Sequence, residues 1–177
     1  MRNLIQIQYY DSPYGNLIIG SYGDRLCLCD WTFRKRREPI DNRIQTGLKA
    51  CYKEQSSDVI QKAVFQLEEY FNKKRMIFDI PLLFVGTDFQ KKVWEMLLEI
   101  PYGTTETYGG LSGRMHNPKA VRAVAAANGA NAISIFVPCH RIIGSNKQLT
   151  GYAGGLSAKK KLLGLEFSSN NPYLDLF

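Results

Sequence analysis

At 177 residues with 45% hydrophobic side chains, the chain can bury one ordinary core or two small ones, which excludes a disordered or fibrous protein. Its longest apolar runs, such as residues 132–137, fall far short of the ~20 residues a membrane span needs, and Met1-Arg2-Asn3 carries no signal-peptide pattern, so the expected location is the cytoplasm or another reducing compartment. The net charge of +7 favours an anionic partner, nucleic acid first, and the four cysteines (Cys27, Cys29, Cys51, Cys139) lack the look of a disulfide framework, which leaves reduced thiols available for chemistry.

The first part of the chain reads as α+β. Ile5 and Ile7 alternate with polar neighbours, and residues 16–19 and 25–30 are short apolar strands on either side of the turn-rich Gly20-Ser21-Tyr22-Gly23-Asp24, which predicts a hairpin. The run Arg34-Lys35-Arg36-Arg37 reads as a solvated loop in preference to a nucleic-acid patch. A helix is expected over 58–73, where Ile60, Val64, Leu67 and Phe71 share one face, and residues 76–84 return to strand-like composition around Pro81.

From Thr87 the pattern becomes helical. Thr87 and Gln90 have the spacing of a capping box, and the helix they open is expected to bury Phe89, Val93, Met96, Leu97 and Ile100 before Pro101 and Gly103 stop it. Thr107 can cap a short second helix running through Leu111 towards Met115. Asn117-Pro118 can open a third, ending near Asn128-Gly129, so that the pair forms a helix-turn-helix candidate. In the third helix Ala120, Val121, Val124 and Ala125 fit a core stripe, and Lys119, Arg122, Ala123 and Ala126 point outwards. That outer face is small and basic, as suits close approach to a DNA groove, although an ordinary alanine-rich surface helix has the same look.

Residues 133–144 form an apolar strand interrupted by Pro138-Cys139-His140-Arg141. Pro138 fixes the backbone before Cys139, and an imidazole or guanidinium beside a thiol favours the attacking thiolate. Adjacent residues of an extended chain point apart, so a direct Cys139–His140 pair is disfavoured and a water bridge is expected, with an orienting carboxylate on the other nitrogen of His140. Glu166 is the candidate, standing at the end of a helix expected over 157–165 where the helix dipole disfavours an acid that nothing else holds.

These residues, with Tyr102-Gly103, Thr107-Tyr108, Asn117-Pro118, residues 120–124, Asn128-Gly129 and Gly151-Tyr152-Ala153-Gly154-Gly155-Leu156, resemble the 6-O-alkylguanine-DNA alkyltransferases over about 89–166. The resemblance implies a small, strand-rich, ribonuclease-H-like N-terminal domain (1–85). It implies a helical C-terminal domain (86–177) with a winged-helix-like helix-turn-helix and the active-site cysteine. It further implies stoichiometric, self-inactivating transfer of a methyl or larger alkyl group from 6-O-alkylguanine, with 4-O-methylthymine as a second candidate substrate, to Cys139. His140 and Glu166 would complete the relay and Asn131 would tie the turn before the active-site segment to the helix-turn-helix. Arg122 would fill the stack left by the flipped base, with Ala123 and Ala126 beside it on the DNA-facing helix in the minor groove. Tyr108 would help rotate the nucleotide and donate a proton, and Ile142, Tyr152, Ala153 and Gly154 would shape the pocket. The implied partner is double-stranded DNA, the implied state a monomer, and no cofactor is needed.

Met115-His116 and Ala132 depart from the family pattern, outside the chemistry. Some relatives carry zinc in the N-terminal domain, but with His116 and His140 as its only histidines this chain is not expected to, even though Cys27-x-Cys29 would put two thiols on one strand face. Three other readings stand beside the transferase. A lesion sensor without transfer would lack the cysteine, a helix-turn-helix regulator has no use for Pro138-Cys139-His140-Arg141, and a cysteine hydrolase would need a direct Cys–His pair.

Overall fold

The structure, a computed structural model, describes residues 3–167. Alternation in β1 (Asn3–Ser12) buries Ile5 and Ile7, and the turn at Pro13-Tyr14 returns the chain antiparallel as β2 (Gly15–Tyr22) and then β3 (Arg25–Trp31). β2 and β3 are buried almost throughout because both faces are covered. Leu17 and Ile19 face the main core, whereas Ile18 and Leu28 pack with Ile40 and Ile44 of α1 (Arg37–Leu48). β4 (Ala50–Glu54) pairs parallel with β1 at the edge, giving the order β3-β2-β1-β4. The expected hairpin is present, while α1 and β4 are additions to the sequence reading. Only Ile40 and Ile44 of α1 are buried, a stripe too thin for periodicity to register.

α2 (Asp58–Phe71) is capped by Ser57 and turns Ile60, Ala63, Leu67 and Tyr70 inwards. Residues 76–84 are not a strand. Their share in the sheet is a bridge from Leu82 to Leu26, held by Leu26 N–H to the Pro81 carbonyl (2.9 Å) and Leu83 N–H to the Leu26 carbonyl (2.8 Å). Pro81 has no N–H to extend the ladder.

α3 (Asp88–Leu98) starts in the expected capping box and buries Val93, Trp94 and Leu97, with Ile100 beyond its end; Phe89 is 36% exposed. Trp94, absent from the expected face, donates from Nε1 to the Ala127 carbonyl at 2.8 Å and so locks α3 to a later helix. β5 (Glu106–Thr107) leads into α4 (Tyr108–Arg114), capped by Thr107, and a 3-10 turn at Pro118–Ala120 precedes α5 (Val121–Gly129). The buried face of α5 is Val124, Ala127 and Asn128, and Val121 is exposed. The 3-10 turn winds more tightly than an α-turn, and so rotates the stripe away from the phase read from Pro118. After a second 3-10 turn at Cys139–Arg141, β6 (Ile142–Ile143) pairs parallel with β5, and α6 (Gly155–Glu166) closes the described chain.

The result is an N-terminal sheet domain and a C-terminal helical domain sharing one main core, in which Leu17 and Trp31 meet Val93, Leu97, Val124 and Leu162. No described helix is long and apolar enough to cross a membrane. The β3 edge binds both halves. Beyond the Leu26 bridge, Cys29 N–H donates to the Ala132 carbonyl (2.9 Å) and Ser134 N–H to the Cys29 carbonyl (2.6 Å).

Gly154 shows how tight this junction is. A Cβ there would lie 2.4 Å from Cε2 of the fully buried Trp31, although the Gly154 backbone (φ −85) suits alanine. Gly154→Ala is expected to cost about 1–3 kcal/mol, as overpacking does, lowering the thermal midpoint by roughly 2–4 °C per kcal/mol. Trp31→Leu in the same background should recover part of the loss, and an unmoved melting curve for Gly154→Ala would remove the close-approach argument.

Candidate active site

The expected extended strand over 133–144 does not form. Ile133 bridges to Cys29 of β3, Ile135 takes φ 75, Val137 N–H turns back to the Ile133 carbonyl (2.9 Å), and Cys139–Arg141 is a 3-10 turn. A β-branched residue at positive φ is held there only by strong surroundings. The side-to-side alternation of an extended chain therefore does not govern Cys139 and His140.

Cys139 is 3% exposed, and Asn131 Nδ2 donates to its Sγ at 3.1 Å and to the Val137 carbonyl at 3.1 Å. The Asn131 side chain is itself fixed, because Oδ1 accepts from Ile133 N–H at 2.9 Å. Burial pushes the Cys139 thiol up, against a downward pull from the Asn131 hydrogen bond and the Lys159 and Arg34 charges. The resting group is a thiol.

His140 follows Cys139 in the same 3-10 turn. It is fully buried, its Nε2 lies 2.7 Å from Glu166 Oε1, and its Nδ1 has no hydrogen-bond partner among the described residues. Burial pulls His140 below its ordinary value despite the opposing carboxylate, so the ring is neutral and able to take a proton. Burial works against a charged Glu166, but the His140 and Arg141 contacts outweigh it and hold the carboxyl well below the usual range.

Arg141 does not sit against the thiol as its sequence position suggests. Its Nε and Nη2 donate to Glu166 Oε2 (2.8 Å) and Oε1 (3.0 Å), and Nη1 donates to the Ile100 carbonyl (2.6 Å). Tyr70 Oη donates to Glu166 Oε1 at 2.7 Å and Gly103 N–H to Oε2 at 3.3 Å. Gly103 has φ +72, and a Cβ there would lie 2.9 Å from the Glu166 carbonyl oxygen, so the close approach requires glycine. Sequence reasoning missed Tyr70, which reads as one more core aromatic of α2.

The basic run is likewise not a solvated loop throughout. Arg34 is buried and donates from Nη1 to Asp30 Oδ2 (2.8 Å) and to the Asn131 carbonyl (2.8 Å), and from Nη2 to the Gly129 carbonyl. Arg37 pairs with Asp30 and Asp41, and Arg43 Nη2 takes the Ala130 carbonyl at 2.7 Å. Asp30, buried in β3, is the acid that draws the run inwards. The sheet domain thus grips consecutive carbonyls 129, 130 and 131, with Asn131 among them.

Cys139 opens onto a cleft of about 1260 Å³ whose walls include Tyr108, Ala125, Tyr152 and Ala153. Arg122, Ala123 and Ala126 lie exposed on the outer side of α5. Two expected pocket residues are not on its wall. Ile142 is fully buried in the β5–β6 pair with its carbonyl taken by Lys159 Nζ, and Gly154 is buried against Trp31. Lys159, another residue unsuspected from sequence, also holds the Thr150 carbonyl (2.7 Å), and burial brings it down to about 8. Cys27 and Cys29 fall in different core clusters, not on one face, because the bulge opposite Gly20/Ser21 breaks the alternation. Among the described residues no group of three or more His, Cys, Asp or Glu could hold a metal ion.

Known proteins match along nearly the whole chain. The family models described as the ribonuclease-like domain and the DNA binding domain of 6-O-methylguanine DNA methyltransferase match residues 5–84 and 88–168. The methylated-DNA-protein-cysteine methyltransferase of Haemophilus influenzae is 44% identical over 168 residues, covering 94% of this chain and 87% of that one. Its Mycobacterium tuberculosis counterpart is 38% identical over 177 residues, covering 98% and 99%. The crystal structure of Mycobacterium tuberculosis OGT in complex with DNA superposes with a TM-score of 0.77 at 38% identity, covering 92% of both chains. With both halves matched and such relatives extending over nearly its full length, the chain belongs to the 6-O-methylguanine DNA methyltransferase family.

Proposed function

We propose that the chain repairs DNA by direct reversal, moving the alkyl group of a 6-O-alkylguanine onto Cys139 in a single self-inactivating turnover. The observation that carries this reading is the array Asn131–Cys139 and His140–Glu166 at a cleft, with His140 Nδ1 left free among the described residues. In this reading the sheet domain is ribonuclease-H-like, and α4, the turn and α5 form the helix-turn-helix of a winged-helix-like domain. The helix α5 lies in the minor groove of duplex DNA, where the small Ala123 and Ala126 permit close approach. Arg122 takes the place of the extruded nucleotide, and the flipped base enters the cleft between Tyr108, Tyr152 and Ala153. The chain works as a monomer without a cofactor, in a reducing compartment where the thiol stays free.

The chemistry follows from the proton inventory. A water takes the Cys139 proton and passes one to His140 Nδ1, and Glu166 stabilises the imidazolium that results. Sulfur attacks the alkyl carbon in line, the S–C bond forms, and the bond from that carbon to the 6-oxygen of guanine breaks. The electron pair leaves with guanine, whose oxygen becomes a carbonyl while N1 takes a proton from the Tyr108 hydroxyl. Burial pushes Tyr108 up, so that proton is present at neutral pH. The thioether product has no leaving group to reverse the step.

Three outcomes test this reading. Peptide mass spectrometry after mixing with a duplex carrying one 6-O-methylguanine should find a single methyl on Cys139, restored guanine and a stoichiometric end point, with no transfer by Cys139→Ala. Tight binding without a mass change would point to a lesion sensor. The first-order transfer constant should stay flat from about pH 8 down to the ordinary imidazole value of ~6.5 and fall only at some pH below it, because a protonated His140 cannot accept the thiol proton and burial lowers its value. A tenfold rise per unit across this whole range would indicate attack by free thiolate with no relay. Arg122→Ala should slow repair of duplex roughly 10- to 100-fold, equivalent to the few kcal/mol of unstacking, and slow attack on the free alkylated base far less. Equal losses on the two substrates would count against the stack-filling role.

A further inference from the structure

The same cleft has a wall that the transfer chemistry leaves unused. Phe33, Lys35 and Arg36, from the connection between β3 and α1 in the sheet domain, line it together with Val121 at the start of α5 and Leu156 at the start of α6. Phe33 is 56% exposed, Val121 37% and Leu156 49%, so an apolar rim surrounds the mouth. Lys35 and Arg36 are exposed and, among the described residues, have no acidic partner.

Their neighbours explain why these side chains face outwards. Arg34 is buried on Asp30 and on the Asn131 and Gly129 carbonyls, and Arg37 is committed to Asp30 and Asp41. The loop is therefore pinned at two points, and the residues between and beside those pins are turned away from the protein. Phe33 is steadied by Trp31, ring centroids 5.9 Å apart, and little ordering entropy remains to be lost when it meets a flat apolar partner. An exposed aromatic beside two unpaired cations, at the mouth of a cleft, matches the stacking surface and charged groove with which proteins hold a nucleic-acid strand.

We propose that residues 33–36 of the sheet domain form a second nucleic-acid contact, in which Phe33 lies against a base beside the lesion and Lys35 and Arg36 take phosphates of the same strand. The proposal rests on the repair reading above and adds to it a contribution from the domain that does not carry Cys139. The extruded nucleotide would enter between this lip and α5, held from both halves of the protein.

The test measures binding by fluorescence anisotropy of a duplex containing 6-O-methylguanine, with Cys139→Ala in every arm so that no transfer intervenes, at salt from about 50 to 200 mM. Lys35→Ala/Arg36→Ala should reduce the slope of log Kd against log salt by about 1.8, the value for two lost phosphate contacts on a duplex. The matched control Lys53→Ala/Lys74→Ala removes the same charge from exposed positions off the cleft and should leave the slope unchanged. Lys35→Arg/Arg36→Lys should retain the parent slope. Phe33→Ala should weaken binding about tenfold, within the range for one stacked base, at an unchanged slope. An unaltered slope in Lys35→Ala/Arg36→Ala, or an equal fall in the control pair, overturns the proposal. Failure of the parent protein, with Cys139 intact, to take up a methyl group would instead overturn the repair reading.

Discussion

The carboxylate of Glu166 is the constraint on which the active-site half of the molecule depends. It is buried at the end of α6, where the helix dipole opposes a negative charge, and an uncompensated ion in such a place costs several kcal/mol. Four residues compensate it: Tyr70 from α2, Gly103 from the turn after α3, and His140 and Arg141 from the 3-10 turn that carries Cys139. Because one acceptor serves all of them, the positions of α2, α6 and the reactive turn are not independent. The orientation of His140 is fixed by the same atoms that make burying Glu166 tolerable, which is why the ring presents Nδ1 and not Nε2 as its unengaged nitrogen.

A second clamp acts from the opposite side. Arg34 and Arg43 of the sheet domain hold carbonyls 129–131, and the β3 edge continues the grip through Ala132 and Ser134. Between them lies Asn131, whose amide reaches Cys139 Sγ. The thiol is thus placed by one network rooted in the sheet domain, and His140, in the same 3-10 turn, by another, and each network includes a charge inside the protein that is fully paired. Pairing of this kind adds little net stability compared with apolar packing, but removing one partner is expensive, so it specifies geometry more than it strengthens the fold.

What could be read in the sequence follows from this division. The hairpin, α2, the capping box of α3, and the Thr107 cap of α4 rest on local periodicity and capping, and these survive folding unchanged. The partnership of His140 with Glu166 beside Cys139 in the chain was legible because proline, cysteine and histidine in an apolar run have no packing reason to be there. Arg34, Arg43, Tyr70 and Lys159 were not legible, since each acts through a partner 17 to 97 residues away in sequence. An arginine run looks the same whether or not a buried aspartate lies beneath it. The misplaced stripe of α5 and the expected strand over 133–144 failed for a related reason: a 3-10 turn and a positive φ at Ile135 reset a phase that the pattern carries forward unbroken.

The surplus of positive charge takes a different meaning in this light. Arg34, Arg37 and Arg141 are spent on internal carboxylates, and Arg43 and Lys159 on internal carbonyls, so the basic character of the sequence is partly structural. The ion pairs cancel within the net charge of +7, so of these cations only Arg43 and Lys159 count towards it while committed inside the protein, and the cations free to meet a polyanion are those without internal partners. On the cleft side these include Lys35 and Arg36, and on α5 Arg122, so the field at the mouth comes from both domains although Cys139 belongs to one. In the repair reading such a field acts before chemistry, on how quickly and in what orientation a strand arrives, whereas the buried network acts only after the base has left its stack.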